Sequence, residues 1–186
     1  MHHCDEEGAI GIGGVSEQFF SEGFIPVWHE VLRREAGDRA DDLLYEVGMK
    51  GARWEVEEAV RHGVWVPALL RGMIGRPELL AKVRESAFMH ALLNESLHIV
   101  YRMIMKEGGW GVVEEIDFRQ VPARIVVHNT PEFRQVKSDG KPVCHIARGI
   151  YTGYLATVFG VGAKGVETTC RAKGDPRCTF EITLAA

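Results

Sequence analysis

The chain has 186 residues, 46% of them hydrophobic, and a formal net charge of −4 with a pI near 6.1. The length allows one sizeable core, and we expect a single domain at 15–186 behind a flexible N-terminal arm at 1–14. The negative charge argues against direct nucleic-acid binding. No apolar run reaches the roughly 20 residues that span a bilayer. Because the N-terminus is acidic and glycine-rich rather than a secretory signal, the sequence predicts a cytoplasmic protein.

The first half of the domain is predicted to be helical. Apolar residues at helical spacing indicate a first helix from an N-cap at Ser16 to about Arg34, and a second from a cap at Asp38 to about Arg61. The wide apolar faces of these helices predict core contacts and also a homodimer interface. Two histidines that lack ligand neighbours at useful spacing are interpreted as surface or interface residues, His29 and His62.

An apolar connection at 64–75 leads into a further helical stretch. This stretch is expected to run from Pro77 to about Glu107, with an interruption near Glu85. Its long, soft side chains, several of them methionines, favour a plastic core element. The polar groups set among them would equally suit the wall of a pocket for an apolar ligand.

From residue 108 onward the apolar period changes from 3.6 to 2, which indicates strands. Strands joined by short connections, with helices gathered on one side, are typical of an α+β fold in which helices pack on an antiparallel sheet. We therefore expect that fold, with an N-terminal helical part at 15–107 and a strand-and-helix part at 108–186. The elements expected in the second part are strands at 110–118 and 123–128, a polar loop at 133–140, a helix at 142–159 and strands at 163–170 and 178–184.

Metal-donating side chains are concentrated in the last quarter of the chain, at Cys144, Glu167, Cys170 and Cys178. A turn at Gly174 would bring the last two sulfurs together. Cys144 would join them from the first turn of the predicted helix, whose dipole favours a thiolate. Thiolates and carboxylates bind zinc, but buried cysteines also serve as small hydrophobic residues. Because Cys-x7-Cys is not a tight zinc-knuckle spacing, the spacing alone leaves both interpretations open.

A family resemblance rests on four stretches of this region. They are PVC at 142–144, the glycines Gly149 and Gly153, GVETTC at 165–170 and GDPRCTF at 174–180. On these residues the chain resembles the 4-vinyl reductase domain family. That family is related to the sensor domains of phenol- and xylene-responsive transcriptional activators and, more distantly, to TRAPP vesicle-tethering subunits. The resemblance covers roughly 101–186, and residues 1–100 match only in helical character.

The resemblance implies a zinc site. Zinc-containing members hold the metal by a Cys, then Glu-x2-Cys, then a Cys after seven more residues, and this chain carries that order at Cys144, Glu167, Cys170 and Cys178. Four protein ligands saturate a tetrahedral ion, so the zinc would be structural rather than catalytic. The resemblance also implies a homodimer formed through the N-terminal helices.

The expected function is that of a sensor domain that binds a small hydrophobic or aromatic ligand between sheet and helices. In phenol sensors a histidine and a tryptophan hold the hydroxyl, and His98 and Trp110 are candidate counterparts. Because the chain lacks the ATPase and DNA-binding modules of those activators, such a sensor would need a signalling partner protein. The candidate pocket residues, each of which could instead be a core aromatic, are His98, Tyr101, Trp110, His128, Tyr151 and Tyr154.

Two other functions stay open at this point. The family name derives from a proposed role in bacteriochlorophyll synthesis, so the protein could be a tetrapyrrole-handling protein or a vinyl reductase. A reductase would need a reductant, and no dinucleotide or flavin motif is visible in the sequence. Whether the protein is an enzyme is therefore uncertain, with a binding role favoured. A scaffold like the trafficking subunits is the third alternative.

Overall fold

The structure is a computed structural model. It describes residues 21–62, 68–101, 105–106 and 109–185, together with the backbone of three short segments near the N-terminus. These segments form antiparallel strands: β1 (His3–Cys4), β2 (Ile10–Ile12) and β3 (Val15–Glu17). The other residues of the expected N-terminal arm lie outside the described part of the chain, so the arm's flexibility stays a prediction.

The first two helices begin later than the sequence predicts. Helix α1 spans Phe24–Ala36, and Ser16 lies in β3, so the prediction that Ser16 caps α1 was wrong. A 3-10 turn at Gly37–Arg39 leads into α2 (Ala40–His62), and the predicted cap Asp38 lies inside that turn. Gly37 has a φ of 55°, a backbone conformation that favours glycine, so the chain can change direction there between the two helices.

Three further helices follow α2. They are α3 (Ala68–Met73), α4 (Glu78–Glu85) and α5 (Ala87–Tyr101). The expected interruption near Glu85 is confirmed, because Ser86 has an extended backbone that separates α4 from α5. Helix α3 falls in the stretch that was expected to be an apolar connection, where its six residues are too few to show a clear helical period.

The second half forms a four-stranded antiparallel sheet with the strand order β4-β5-β7-β6. The predicted α+β fold, with helices packed on an antiparallel sheet, is confirmed. A short helix replaces the start of the predicted polar loop, and the last helix begins at His145 rather than at 142. The elements are β4 (Val112–Asp117), β5 (Ala123–His128), α6 (Pro131–Gln135), α7 (His145–Phe159), β6 (Ala163–Thr169) and β7 (Cys178–Leu184).

Helix α7 contacts the sheet and also packs closely against α2. Three glycines bring the two helix backbones together. A Cβ atom on Gly149 would lie 2.2 Å from the carbonyl oxygen of Tyr45, and one on Gly48 would lie 2.2 Å from that of Ile146. A Cβ atom on Gly153 would meet the carbonyl oxygen of Met49 at 2.5 Å. Since each clash is with backbone, these glycines set the distance between α2 and α7.

The core lies between the sheet and these helices. Its largest fully buried side chains include Tyr101 from α5, Tyr151 and Phe159 from α7, and Phe180 from β7. Among the helices that the structure describes, none is long and apolar enough to cross a membrane.

Candidate functional site

The four predicted metal donors lie together in the structure. Cys144 stands directly before α7, Glu167 and Cys170 come from β6 and the residue after it, and Cys178 opens β7. One ligand atom from each lies within 4.8 Å of the other three, and all four residues are buried. This cluster, called the Cys3Glu cluster below, could hold a metal ion.

A β-bulge brings two of these donors to the same side of β6. Residues three apart in a regular strand point to opposite faces of the sheet. In the pairing of β6 with β7, Glu167 lies opposite Phe180 and Thr169 lies opposite Thr179, so Thr168 is the extra residue of a bulge. The bulge allows Glu167 and Cys170 to face the same interior position.

The predicted turn connects the remaining two sulfurs. A 3-10 turn at Arg171–Lys173 is followed by Gly174, whose φ of 101° strongly favours glycine. The Asp175 carboxylate accepts a hydrogen bond from the Cys170 amide at 2.8 Å. The Arg171 amide lies 3.4 Å from the Cys178 sulfur. The turn therefore positions both Cys170 and Cys178.

Cys144 is held from several directions. Its Sγ atom lies 3.9 Å from that of Cys170 and 3.7 Å from that of Cys178. Its amide donates to the Glu167 carboxyl at 3.0 Å, and the Thr130 hydroxyl lies 3.1 Å from its sulfur. The other Glu167 oxygen, Oε1, is buried without a hydrogen-bond partner. Burying an unpaired carboxyl oxygen is costly, so this atom marks a position where a cation would be stabilising.

The protonation of the cluster follows from its burial and mutual hydrogen bonds. Hydrogen bonds from Cys144 and Cys178 hold the pKa of Cys170 far below its ordinary value. Hydrogen bonds with the other two sulfurs, followed by burial, raise the pKa of Cys144 instead, so the expectation that the helix dipole favours its thiolate was wrong. Burial, followed by the charge of Cys170, raises the pKa of Glu167 to about 9. The cluster without a cation thus holds one thiolate among protonated groups.

Three of the six predicted pocket residues meet in the core. The Tyr101 ring contacts the Tyr151 ring edge to face, with centroids 5.6 Å apart, and the Tyr154 ring at 5.8 Å. The hydroxyls of Tyr101 and Tyr151 are buried without hydrogen-bond partners, whereas the Tyr154 hydroxyl donates to Glu55. We call these three residues the tyrosine cluster.

The tyrosine cluster adjoins the Cys3Glu cluster. Tyr151 stacks on Phe180 at a centroid distance of 5.3 Å, and Phe180 lies two residues after Cys178 in β7. Burial raises the pKa of the Tyr151 hydroxyl, and the neighbouring Tyr101, Cys144 and Cys178 add to the shift. Burial also raises the pKa of Tyr101. Both hydroxyls therefore stay protonated at neutral pH and can donate hydrogen bonds.

The other three predicted pocket residues lie apart from the tyrosine cluster. His98 is half-buried on α5, Trp110 is half-buried before β4, and His128 is half-buried at the end of β5 opposite Val112. Within the part of the chain that the structure describes, none of the three makes a ring contact with the tyrosines. Their assignment to the pocket stays a prediction.

Sequence reasoning missed a buried pair next to the Cys3Glu cluster. Glu132 in α6 is fully buried, and one of its oxygens lies 3.0 Å from Nε2 of His29 in α1. The interpretation of His29 as a surface or interface residue was wrong, because its side chain is 2% exposed. The available signal was Thr130-Pro131-Glu132, since a capping residue, a proline and an acidic residue together favour a helix start.

An open groove of about 660 Å³ is lined by residues of α2 and of the second half of α7. Glycines and apolar residues form much of its surface, and Lys50 and Arg53 also line it. Each of these cations is already paired, Lys50 with Glu46 and Arg53 with Glu57. The groove therefore offers no unpaired lysine or arginine, among the residues that line it, that would select a ligand.

Comparisons with known proteins agree with the sequence motifs. A model of the 4-vinyl reductase domain matches residues 123–184. An uncharacterised protein from Methanocaldococcus jannaschii is 30% identical over 79 residues, which are 42% of this chain and 48% of that protein. The match thus spans about half the length of that relative.

Solved structures resemble nearly the whole chain. The phenol-responsive sensory domain of the transcription activator PoxR, solved with phenol, has a TM-score of 0.63 at 17% identity, over 98% of this chain and 84% of that one. A vinyl-4-reductase family protein from M. jannaschii has a TM-score of 0.52 at 15% identity, over 91% and 85%. Subunit 3 of a trafficking protein particle complex from Naegleria fowleri, covalently bound to palmitic acid, has 0.55 at 15%, over 89% and 95%. At these identities the likeness shows the fold alone.

Proposed function

Since residues 123–184 belong to the 4-vinyl reductase domain family, we propose that this protein is a zinc-containing sensor domain for a small hydrophobic or aromatic ligand. One observation carries the proposal: three buried thiols and a buried carboxyl converge beside buried tyrosines whose hydroxyls lack partners. The Cys3Glu cluster would hold the zinc, and the tyrosine cluster would contact the ligand. The fold shared with a phenol-responsive sensory domain supports the sensor role.

The sulfur geometry supports zinc. Zn–S bonds of about 2.3 Å in a tetrahedral site place two sulfurs about 3.8 Å apart. The two separations from the Cys144 sulfur, 3.9 Å to Cys170 and 3.7 Å to Cys178, match that value. The fourth donor, Glu167, has a buried oxygen in need of a partner. Three thiolates and a carboxylate are donors that zinc accepts, and as thiolates predominate they favour zinc over magnesium or calcium.

The zinc would be structural. Cys144, Glu167, Cys170 and Cys178 supply all four positions of a tetrahedral ion, so no position is left for a substrate or water. The metal would tie the start of α7 to the β6–β7 hairpin. Because Phe180 of that hairpin stacks on Tyr151, the metal would also fix one wall of the ligand site.

The tyrosines define the polar part of the ligand site. A buried hydroxyl without a partner costs about 1–3 kcal/mol, which a ligand oxygen or nitrogen that accepts its hydrogen bond would recover. Tyr101 and Tyr151 both have such hydroxyls, surrounded by aromatic rings. This combination suits a small aromatic molecule that carries one or two acceptor atoms.

The protein would act as a homodimer. Helix α1 exposes an apolar stripe formed by Phe24, Val27 and Val31, at a spacing that puts all three on one face. A second copy would cover this stripe. Output would require a signalling partner protein, and the cytoplasmic location stays a prediction.

Native mass spectrometry of protein purified without added metal tests the proposal. We expect one zinc per chain in a dimer. Calorimetry with phenol as a hydrogen-bonding probe and ethylbenzene as a matched apolar probe would then test the ligand site, with tighter binding of phenol expected. A metal-free protein would refute the zinc assignment, and failure of both probes to bind would refute the aromatic ligand. A visible tetrapyrrole absorption in the purified protein would instead favour the pigment-handling alternative.

A further inference from the structure

Glu132 is a buried carboxylate that caps the helix next to the Cys3Glu cluster. Its Oε1 atom accepts a hydrogen bond from the Ile146 amide at 2.9 Å, and its Oε2 atom accepts one from the Ala147 amide at 2.8 Å. These amides belong to the first turn of α7, where no backbone partner is available and where negative charge is stabilised. Glu132 therefore fixes the turn that begins immediately after Cys144.

The same carboxylate reaches α1. Nε2 of His29 lies 3.0 Å from Oε1 of Glu132, although 103 residues separate the two in sequence. Both side chains are buried, so the removal of either one leaves the other polar group without its partner in a dry environment. A pair of this kind holds two elements in one relative placement more firmly than a surface ion pair would.

Two further sets of contacts attach the segment around Glu132. On one side, the fully buried Thr130 lies 3.1 Å from the Cys144 sulfur, and it also caps α6. On the other side, Arg134 and Gln135 donate hydrogen bonds to Glu22, just before α1. Residues 130–135 thus bridge the Cys3Glu cluster and the N-terminal end of α1.

The two faces of α1 have different roles in this arrangement. His29 and Ile25 point inward and are buried, whereas the apolar stripe of Phe24, Val27 and Val31 is exposed. A change in the placement of α1 relative to α7 would therefore move the surface that the proposed dimer uses.

We propose that Glu132 positions Cys144 for metal binding and that its bond to His29 couples occupancy of the Cys3Glu cluster to the placement of α1. This inference rests on the zinc part of the proposed function. Coupling between two sites is reciprocal. A change at His29, which donates nothing to the cluster, should therefore weaken zinc binding.

Zinc affinity measured by competition with a chromogenic chelator tests the coupling. We expect Glu132→Gln to weaken zinc binding by about ten- to hundred-fold, the usual effect of removing a partner that orients a metal ligand. His29→Gln should weaken it several-fold. The matched controls are His62→Gln and Glu115→Gln, because these residues form exposed pairs with Glu58 and Arg124. The controls should bind zinc within two-fold of the wild type.

Hydrogen exchange supplies a readout that a purely structural role would not change. Addition of zinc to the metal-free wild-type protein should slow amide exchange in α1, and this response should be lost in His29→Gln. If zinc binds but leaves α1 exchange unchanged, or if His29→Gln binds zinc as tightly as the wild type, the coupling is refuted and the zinc assignment stands. If the wild type binds no zinc, both fall. Should Glu132→Gln fail to fold, the wild-type exchange measurement and His29→Gln still decide the matter.

Discussion

The rings of Tyr101 and Tyr151 meet edge to face at 5.6 Å, yet neither buried hydroxyl has a hydrogen-bond partner. In the ligand-free protein each hydroxyl therefore carries a desolvation cost that nothing offsets. Tyr151→Phe removes the hydroxyl and keeps the ring, so we expect it to raise the free energy of unfolding by about 1 kcal/mol. It should also weaken phenol binding. Urea unfolding and calorimetry measure the two effects.

Tyr154→Phe is the matched control for this prediction. Its hydroxyl donates to Glu55, so the same substitution should lower the free energy of unfolding by about 1 kcal/mol. Destabilisation by Tyr151→Phe to the same extent would show that its hydroxyl has a partner in solution.

Cys170→Ser should remove the metal and destabilise the domain. The substitution takes one of four ligands from a site that joins α7 to the terminal hairpin. We expect the Tm to fall by about 10 °C, which corresponds to a loss of about 3–5 kcal/mol for a domain of this size. Differential scanning calorimetry and metal analysis measure this result. Cys4→Ser, which changes a cysteine outside the cluster, should leave both unchanged, and an unaltered metal content in Cys170→Ser would refute the site.

Zinc binding should release protons and strengthen with pH. The pKa of Glu167 is raised to about 9 and that of Cys144 is raised as well. For Cys178 the hydrogen bond with Cys144 lowers the pKa, but the bond with Cys170 and burial outweigh it and raise the pKa to about 12. These three groups hold protons at pH 7 and must lose them to bind the metal, so about three protons leave per ion.

The affinity for zinc should consequently rise steeply from pH 6 to pH 8, since fewer protons must be displaced as the pH increases. Calorimetric titration in two non-coordinating buffers of different ionisation enthalpy gives the proton count. An affinity that does not vary with pH would contradict the protonation that we describe. The Cys170→Ser variant supplies the baseline without a complete site.

Gly149→Ala should strongly destabilise the protein. The new methyl group would lie 2.2 Å from the Tyr45 carbonyl oxygen, so α2 and α7 would have to separate. We expect a loss of about 3 kcal/mol in the free energy of unfolding, as is typical of overpacked cores. Gly51→Ala is the control within α2, because a Cβ atom there meets nothing within 4 Å. It should stabilise the helix by about 0.5–1 kcal/mol, and equal effects of the two changes in urea unfolding would contradict the close helix contact.

Val27→Glu should convert the proposed dimer to a monomer. Val27 is 50% exposed in the middle of the apolar stripe of α1, and burial of a carboxylate between two copies would be costly. Light scattering after size-exclusion chromatography at micromolar concentration measures the mass. The control is Val121→Glu, the same change at an exposed valine before β5. A monomeric wild-type protein would refute the interface.

Local patterns in the sequence determined much of the fold. The change of apolar period near residue 108 predicted the start of the sheet region, and the strand at 123–128 has the predicted bounds. Gly174 predicted the turn between Cys170 and Cys178, because glycine freely adopts the left-handed backbone required there. The four donors were named from residue type, spacing and family motif, all of which are visible in one dimension.

Contacts between distant segments were decided only by the tertiary structure. Nothing near His29 in sequence shows that it meets Glu132, because that contact depends on how α1 and α6 pack. The partners of the tyrosine hydroxyls depend likewise on packing, which left Tyr154 bonded to Glu55 and Tyr151 without a partner. A sequence pattern records which face of an element is apolar, whereas burial and pairing of a polar group depend on every element that packs around it.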